Sequence, residues 1–353
     1  CQAEAVVPAS PSQHDVREPI IMMIKDVIPG FELFRPKTVD EAVKLLGAHK
    51  KDAWKLAGGN DSLSWMKDRV KRPKQVIDLS GVAGLAGIKE TADGIEIGAM
   101  TTLTDIENNA AVKKSYRLLA DAAGHVASPQ IRNTGTLGGN INQDARCWYY
   151  RSGLPCYRAG GTTCFADTPE GQNREHAIFD AARCVAVTPS DVAPALVALD
   201  AVMVIQGPGG ERTVKAEDYF IGPKTDITRM TQVKPEELLV AVRIPKTFAG
   251  ANFYFEKVAD RKSWDFALVN VASAIKFDGG KVADARIVVG GVACTPRRAV
   301  AAEGAIKGSA IDADAAKLAG QSTSRGARPL NYNHFKIPLM ANLVTRAVRD
   351  AKA

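Results

Sequence analysis

The sequence predicts an α+β protein of two domains, and three observations carry that expectation. Its 353 residues suffice for roughly two domains of about 100–200 residues, each able to bury its own apolar core. Between residues 27 and 247, short β-rich runs alternate with helical stretches. After Pro245 the pattern changes to long strands followed by helices. With 46% hydrophobic and 24% charged residues, the composition is that of an ordinary globular protein. No apolar run approaches the roughly 20 residues of a spanning helix, so no membrane span is expected.

Taken in order, the first 22 residues, CQAEAVVPASPSQHDVREPIIM, carry Pro, Ser and charges without an amphipathic period. They read as part of a flexible amino-terminal arm over residues 1–26, to which Cys1 belongs. The basic start and long apolar stretch of a secretory leader are missing from them. The compartment stays open between cytoplasm and periplasm, because an export signal can reside on a partner. A first domain is expected over residues 27–248. Its helix at 38–49 starts on Thr38, a good capping residue, and places Ala42, Val43, Leu45 and Leu46 on one face. VIDL (76–79) and GIEIGAM (94–100) read as strands. A second, smaller domain is expected over residues 249–353. There ANFYFEKVA, FALVNVASAIKF and KVADARIVVGGVA read as three strands, with Asp278-Gly279-Gly280 as the hairpin turn between the last two. Helical segments at 297–306, 311–318 and 337–351 cover them. The net charge of +7 is spread along the chain and not gathered into an aromatic-rich stripe, so nucleic acid is not an expected partner.

Two glycine turns stand out. Residues 55–63 read KLAGGNDSL, an apolar strand end running into two glycines and three small polar residues. Glycine permits positive φ and close backbone approach, so successive amides can converge on an anion, while Asn60, Asp61 and Ser62 offer capping or hydrogen-bonding side chains. Alone, this motif reads better as a simple turn capping a helix at 62–69. A second turn, GTLGGNI at 135–141, shifts the balance, since two donor-rich turns can grip a pyrophosphate from both sides. Neither turn matches G-x-G-x-x-G or the P-loop pattern, which disfavours a Rossmann site.

Four of the six cysteines, Cys147, Cys156, Cys164 and Cys184, lie within 38 residues. The loop expected around them, residues 144–186, is long enough to need a function or a staple. Three staples are open. Disulfides need an oxidising compartment. Structural zinc favours closely spaced pairs, which gaps of 8, 7 and 19 residues lack. A 4Fe-4S cluster needs four thiolates without fixed spacing, although these gaps also depart from the ferredoxin run. Cys294, in a strand-like GGVACTPRRA, reads as a buried apolar thiol, and His176 inside the loop reads as structural.

AGGND (57–61), IGAMTTLTDIE (97–107) and QIRNTGTLGGNI (130–141) together resemble the FAD-binding medium subunit of the xanthine dehydrogenase and aldehyde oxidoreductase family, the molybdenum hydroxylases. The resemblance covers nearly all of the chain after the arm. It implies a p-cresol methylhydroxylase-type FAD-binding domain followed by a small CO dehydrogenase flavoprotein-type carboxy-terminal domain. By position, it places Leu56, Ala57, Gly58, Gly59, Asn60, Asp61 and Ser62, with Thr136, Gly138, Gly139 and Asn140, around the FAD pyrophosphate. Ala127 is placed at the flavin end and Asp191 on the ribose or adenine part, although Thr188-Pro189-Ser190-Asp191 is also a good helix start. The stretch KVADRKSWDFALVNVA resembles the segment under the isoalloxazine, which makes Lys257 a candidate ring contact and Phe266 a candidate stacking surface; the alternative is an exposed lysine and a core phenylalanine.

A subset of that family, including the periplasmic aldehyde oxidoreductase type, inserts a cluster-binding loop in this region. RCWYYR…PC…C…REHAIF…C…TPSD resembles that version and implies a 4Fe-4S cluster on Cys147, Cys156, Cys164 and Cys184. The function so implied is electron transfer within a heterotrimeric molybdenum hydroxylase. A molybdopterin-binding large subunit oxidises the substrate, with aldehydes as the expected class. A small subunit with two 2Fe-2S clusters passes the electrons on, and FAD on this chain delivers them to an external acceptor. No catalytic residue is expected on the chain itself. Two other readings are a zinc-binding module for nucleic acid, which leaves the glycine turns without a role, and a self-sufficient flavin oxidase, for which no base stands out.

Overall fold

Three sheets organise the chain in a computed structural model that describes residues 28–351; the arm at 1–26 and Cys1 lie outside the described residues. The first sheet is parallel, β1 (Glu32–Phe34), β2 (Ala53–Leu56) and β3 (Gln75–Asp78) in the order β1-β3-β2. Parallel neighbours require crossovers, and helices Val39–His49 and Asn60–Lys67 supply them. Thr38 starts the first of these helices as expected, its hydroxyl accepting from the Glu41 amide at 3.2 Å. Ala42, Val43 and Leu46 are buried beneath it and Leu45 is partly buried. The second helix begins at Asn60, two residues before the expected start, because Gly59 takes the N-cap position with φ 82°. This left-handed geometry is open to glycine at little cost.

The second sheet is antiparallel throughout. It runs β4-β5-β8-β6-β7, built from β4 (Ile88–Thr91), β5 (Gly94–Gly98), β6 (Val202–Gly207), β7 (Gly210–Lys215) and β8 (Leu238–Pro245). The third contains the three expected strands, β9 (Asn252–Val258), β10 (Val269–Asp278) and β11 (Lys281–Gly290). A two-residue strand that the sequence did not suggest, β12 (Arg297–Arg298), pairs with β11. Gly279 and Gly280 have φ of 53° and 80°, the two positive values that a tight type I′ hairpin requires. Helices Val300–Ile306, Ala313–Ser322 and Lys336–Arg349 complete this part of the chain.

The cores of the two expected parts are joined by packing. Helix Val192–Ala198 is buried along its whole length, and the apolar cluster around it joins Ile97 and Val242 of the second sheet to Ala272 and Val288 of the third. A second cluster, under the carboxy-terminal helices, takes in Ile178 and Phe179 from the cysteine loop. Phe248, fully buried at the passage between the second and third sheets, lies under the Arg286 guanidinium, 5.1 Å from the ring centroid. Arg286 in turn pairs with Asp200 at 3.0 Å. If the two parts share one core, Phe248→Ala lowers the stability of the whole chain by about 3–5 kcal/mol in a single thermal transition. Two separated transitions, with only one displaced, would contradict a shared core.

Candidate functional site

Strand β2 runs out at Leu56 into Ala57, Gly58 and Gly59 and turns directly into helix Asn60–Lys67. The second glycine turn follows helix Pro129–Thr134, and Thr136 caps the short helix Leu137–Ile141 by accepting from the Gly139 amide at 3.0 Å. The two turns touch. A Cβ on Gly58 would lie 2.0 Å from the Thr134 carbonyl oxygen, so only glycine permits this approach. Asn60 Nδ2 fastens the contact by donating to Ile131 O at 3.2 Å and Thr134 Oγ1 at 3.0 Å. A cleft of about 900 Å³ opens along the paired turns, at the large end of the range for small-molecule sites.

Ala57, Gly58, Gly59, Asn60, Asp61 and Ser62 line this cleft, as do Thr136, Gly138, Gly139 and Asn140. The polar side chains of the first turn are engaged with the protein, however. Asp61 pairs with Arg151 at 2.8 Å and accepts from Trp65 Nε1, while Ser62 accepts from Trp54 Nε1 at 2.9 Å. The first turn therefore offers a ligand chiefly the main-chain amides that start its helix, whereas those of the second turn are engaged, Gly138 N–H with Ala99 O at 2.7 Å and Gly139 N–H with Thr136 Oγ1. Leu56 does not line the cleft; it ends β2 and aims the turn.

Ala127, Asp191 and Phe266 also line the cleft, and they stand close together. Of the two readings of Asp191, the helix cap passes to its neighbour: Ser190 Oγ accepts from the Ala193 amide at 3.0 Å and donates to Asn140 Oδ1 at 2.6 Å. The buried Asp191 carboxylate is held by Lys257 Nζ at 2.6 Å and Asn270 Nδ2 at 2.9 Å, two side chains facing each other across β9 and β10. Burial pushes this carboxyl above the usual range, against the pull of the Lys257 ammonium. Lys257 also donates to the carbonyls of His125 at 3.0 Å and Asp265 at 2.7 Å, so its three N–H groups are all used.

Lys257 does not line the cleft and is buried, not exposed; it supports Asp191 from behind. Asp191 lines the cleft near Ala127 and Phe266, because its lysine is tied to the main chain next to both. Ala127 has φ 42°, and its carbonyl accepts from the amide of Trp264, which has φ 55°. Two residues held in a sparsely populated conformation thus brace each other at this corner. Phe266 carries the Arg146 guanidinium 5.2 Å from its centroid. Trp264 and Lys55 line the cleft as well and were not singled out in the sequence. Lys55 opens the KLAGGNDSL motif, and burial lowers its amine to about 8.

The cysteine loop sits behind the cleft. Cys147, Cys156, Cys164 and Cys184 all line one small cavity together with Tyr149, Tyr150, Arg158 and Arg183. Trp65, which lines the cleft, and Tyr150, which lines the cysteine cavity, pack at 5.4 Å between centroids and form the wall between the two. The five described cysteines are free thiols. Cys294 is buried against Met230, its Sγ 3.7 Å from Met230 Sδ, and lies outside this cavity. Among the described residues, no three His, Cys, Asp or Glu side chains converge as they would on a single ion, which speaks against a zinc site. Burial pushes the Cys147 thiol up to about 12 and raises that of Cys184, so a metal group must displace protons to bind here. Two arginines on the same cavity suit a group of net negative charge. His176, expected to be structural, has its Nε2 3.2 Å from Cys147 Sγ. Burial and the Lys336 and Arg146 cations hold its imidazole down at about 4, so the ring is neutral.

Comparison with known proteins fits this layout. Residues 29–247 match the model of the FAD binding domain in molybdopterin dehydrogenase, and residues 254–351 that of the CO dehydrogenase flavoprotein C-terminal domain. The chain is 35% identical to the aldehyde oxidoreductase FAD-binding subunit PaoB of Escherichia coli, over 84% of this chain and 91% of that protein. It is 31% identical to the carbon monoxide dehydrogenase medium chain of Hydrogenophaga pseudoflava, over 92% of this chain and 98% of that one. A solved structure of the Hydrogenophaga pseudoflava carbon monoxide dehydrogenase superposes with a TM-score of 0.74 at 31% identity, covering 92% of this chain and 98% of its own.

Removing the cation from the buried pair tests the corner of the cleft. Lys257→Met leaves Asp191 buried without a countercharge, with an expected loss of about 3–5 kcal/mol in urea unfolding. The double variant Lys257→Met/Asp191→Asn is expected to recover more than half of it. A double variant no more stable than the single one would show that Lys257 contributes by packing alone.

Proposed function

Since the chain belongs to the FAD-binding medium subunits of the molybdenum hydroxylase family, we propose that it is the electron-relaying subunit of a heterotrimeric complex and carries a 4Fe-4S cluster on its cysteine loop. FAD binding follows from the family; the cluster rests on one observation, that Cys147, Cys156, Cys164 and Cys184 all line a single cavity behind the cleft. Four thiolates complete such a cluster, and the cubane is larger than one ion, which suits ligands that do not close on a point.

When bound, FAD accepts electrons from the iron–sulfur centres and yields them to an outside acceptor. The chain's own residues hold and shape that group. Main-chain amides of the Gly58–Gly59 turn and the start of helix Asn60–Lys67 receive the pyrophosphate, where aligned N–H dipoles favour negative charge, and the Gly138–Gly139 turn closes the other side of the cleft. Ala127, Asp191 and Phe266 form the flavin end. The Asp191–Lys257 pair fixes the height of that end relative to β9, and Arg146 holds the Phe266 ring in place. The Trp65–Tyr150 wall keeps the cluster one layer of side chains from the cleft.

The partners that this reading requires are a molybdopterin-binding large subunit, where the substrate is oxidised, and a small subunit with two 2Fe-2S clusters. Aldehydes are the substrate class, favoured by the aldehyde oxidoreductase relative. No hydroxylation is expected from this chain alone, since nothing in its cleft other than FAD is proposed to react.

Analysis of the native assembly tests the proposal. We expect one FAD and about four irons per copy of this chain, beyond the irons of the small subunit. Cys156→Ser is expected to remove these irons while FAD stays bound. Full iron retention in Cys156→Ser, or wild-type protein with FAD and no extra iron, would overturn the cluster assignment.

A further inference from the structure

His176 is a buried ring whose polar atoms are not balanced by the protein. It is 1% exposed, its Nε2 is 3.2 Å from Cys147 Sγ, and its Nδ1 has no hydrogen-bond partner. The main chain that carries the ring is held on all sides. Its carbonyl accepts from Lys336 Nζ at 3.0 Å and Asn333 Nδ2 at 3.0 Å, its amide donates to Asn173 O, and the next amide, of Ala177, donates to Val185 O. Lys336 and Asn333 come from the carboxy-terminal part of the chain, so the position of this histidine is fixed from outside the loop.

An imidazole with a single ring proton carries one N–H and one bare nitrogen, and what faces each nitrogen decides which of them holds the proton. If the proton sat on Nδ1, a buried donor would be left unpaired. With the proton on Nε2, the orphan is a bare lone pair and the N–H points at sulfur. That tautomer requires an acceptor at Cys147. A thiol can offer its own hydrogen to nitrogen instead; a metal-bound thiolate can only accept. We propose that His176 donates from Nε2 to the Cys147 sulfur as a positioning residue that raises the reduction potential of the cluster, an inference that rests on the 4Fe-4S reading above. The physical reason is charge: an N–H directed at a ligand sulfur stabilises the more negative, reduced form more than the oxidised one.

The test uses the complete native complex, with redox titration of the extra cluster followed by electron paramagnetic resonance. His176→Leu is expected to make the cluster harder to reduce by about tenfold in the reduced-to-oxidised ratio at fixed potential, which is about 59 mV for one electron. His176→Gln, whose amide can still donate, is expected to restore most of that shift. A second measurement covers loss of the cluster in His176→Leu. With isotope-labelled histidine nitrogen in the wild-type complex, the reduced cluster is expected to show a hyperfine coupling to one imidazole nitrogen that vanishes in His176→Gln while the iron remains. An unshifted potential in His176→Leu with iron retained, or no such coupling in iron-loaded wild type, would overturn the proposal. Absence of the extra iron from wild type would instead overturn the cluster reading beneath it.

Discussion

At Gly58 the main chain passes so close to the Thr134 carbonyl that no side chain fits between them, and the rest of the site depends on that approach. It brings the starts of helices Asn60–Lys67 and Leu137–Ile141 to one edge, so that two distant stretches of sequence line the same cleft. Asn60 locks the contact with two hydrogen bonds. Once the edge is fixed, Asp61 orients Trp65 and Arg151, and Trp65 in turn sets the position of Tyr150 on the far side. Cleft and cysteine cavity are therefore tied to one backbone contact.

The cysteine loop gains its order from two neighbours. On one side Asp144 anchors it, pairing with Arg158 at 2.6 Å and Lys71 at 3.1 Å. On the other side Ile178 and Phe179 enter the carboxy-terminal core, and Asn331, Asn333 and Lys336 donate to its carbonyls. Lys336 is fully buried and meets only carbonyl oxygens, and burial lowers its amine to about 7. Such a group is costly, and it stands where the two parts of the chain must agree on the place of His176. The carboxy-terminal part thus acts on the site as a clamp, through Lys257 at the cleft and Lys336 at the cysteines.

Much of this was legible in the sequence where the cause is local. Thr38 announces its helix because a hydroxyl at that position satisfies an amide three residues on. Asp278-Gly279-Gly280 announces its hairpin because only glycine adopts both positive φ values freely. The glycine turns and the cysteine spacing marked the right regions for similar reasons. What stayed hidden depends on contacts far apart in sequence. Nothing near Lys257 indicates that Asp191, 66 positions earlier, will claim its charge, and Ser190 rather than Asp191 caps the helix because Asn140 lies against it. The start of helix Asn60–Lys67 was misplaced for a different reason: polar residues after the glycines looked like caps, whereas Gly59 itself turns the chain. The apolar run of helix Val192–Ala198 announces a buried helix, but the sheets it packs between are set by residues far away in sequence.

The function proposed for this chain places flavin and iron at neighbouring sites separated by the Trp65–Tyr150 wall. Diffraction from crystals of the native assembly, with data collected on both sides of the iron absorption edge, tests it directly. The account predicts anomalous density enclosed by the sulfurs of Cys147, Cys156, Cys164 and Cys184, and flavin density whose diphosphate lies along Gly58, Gly59, Gly138 and Gly139. Iron bound elsewhere on the chain, or a flavin that avoids the paired turns, would contradict it.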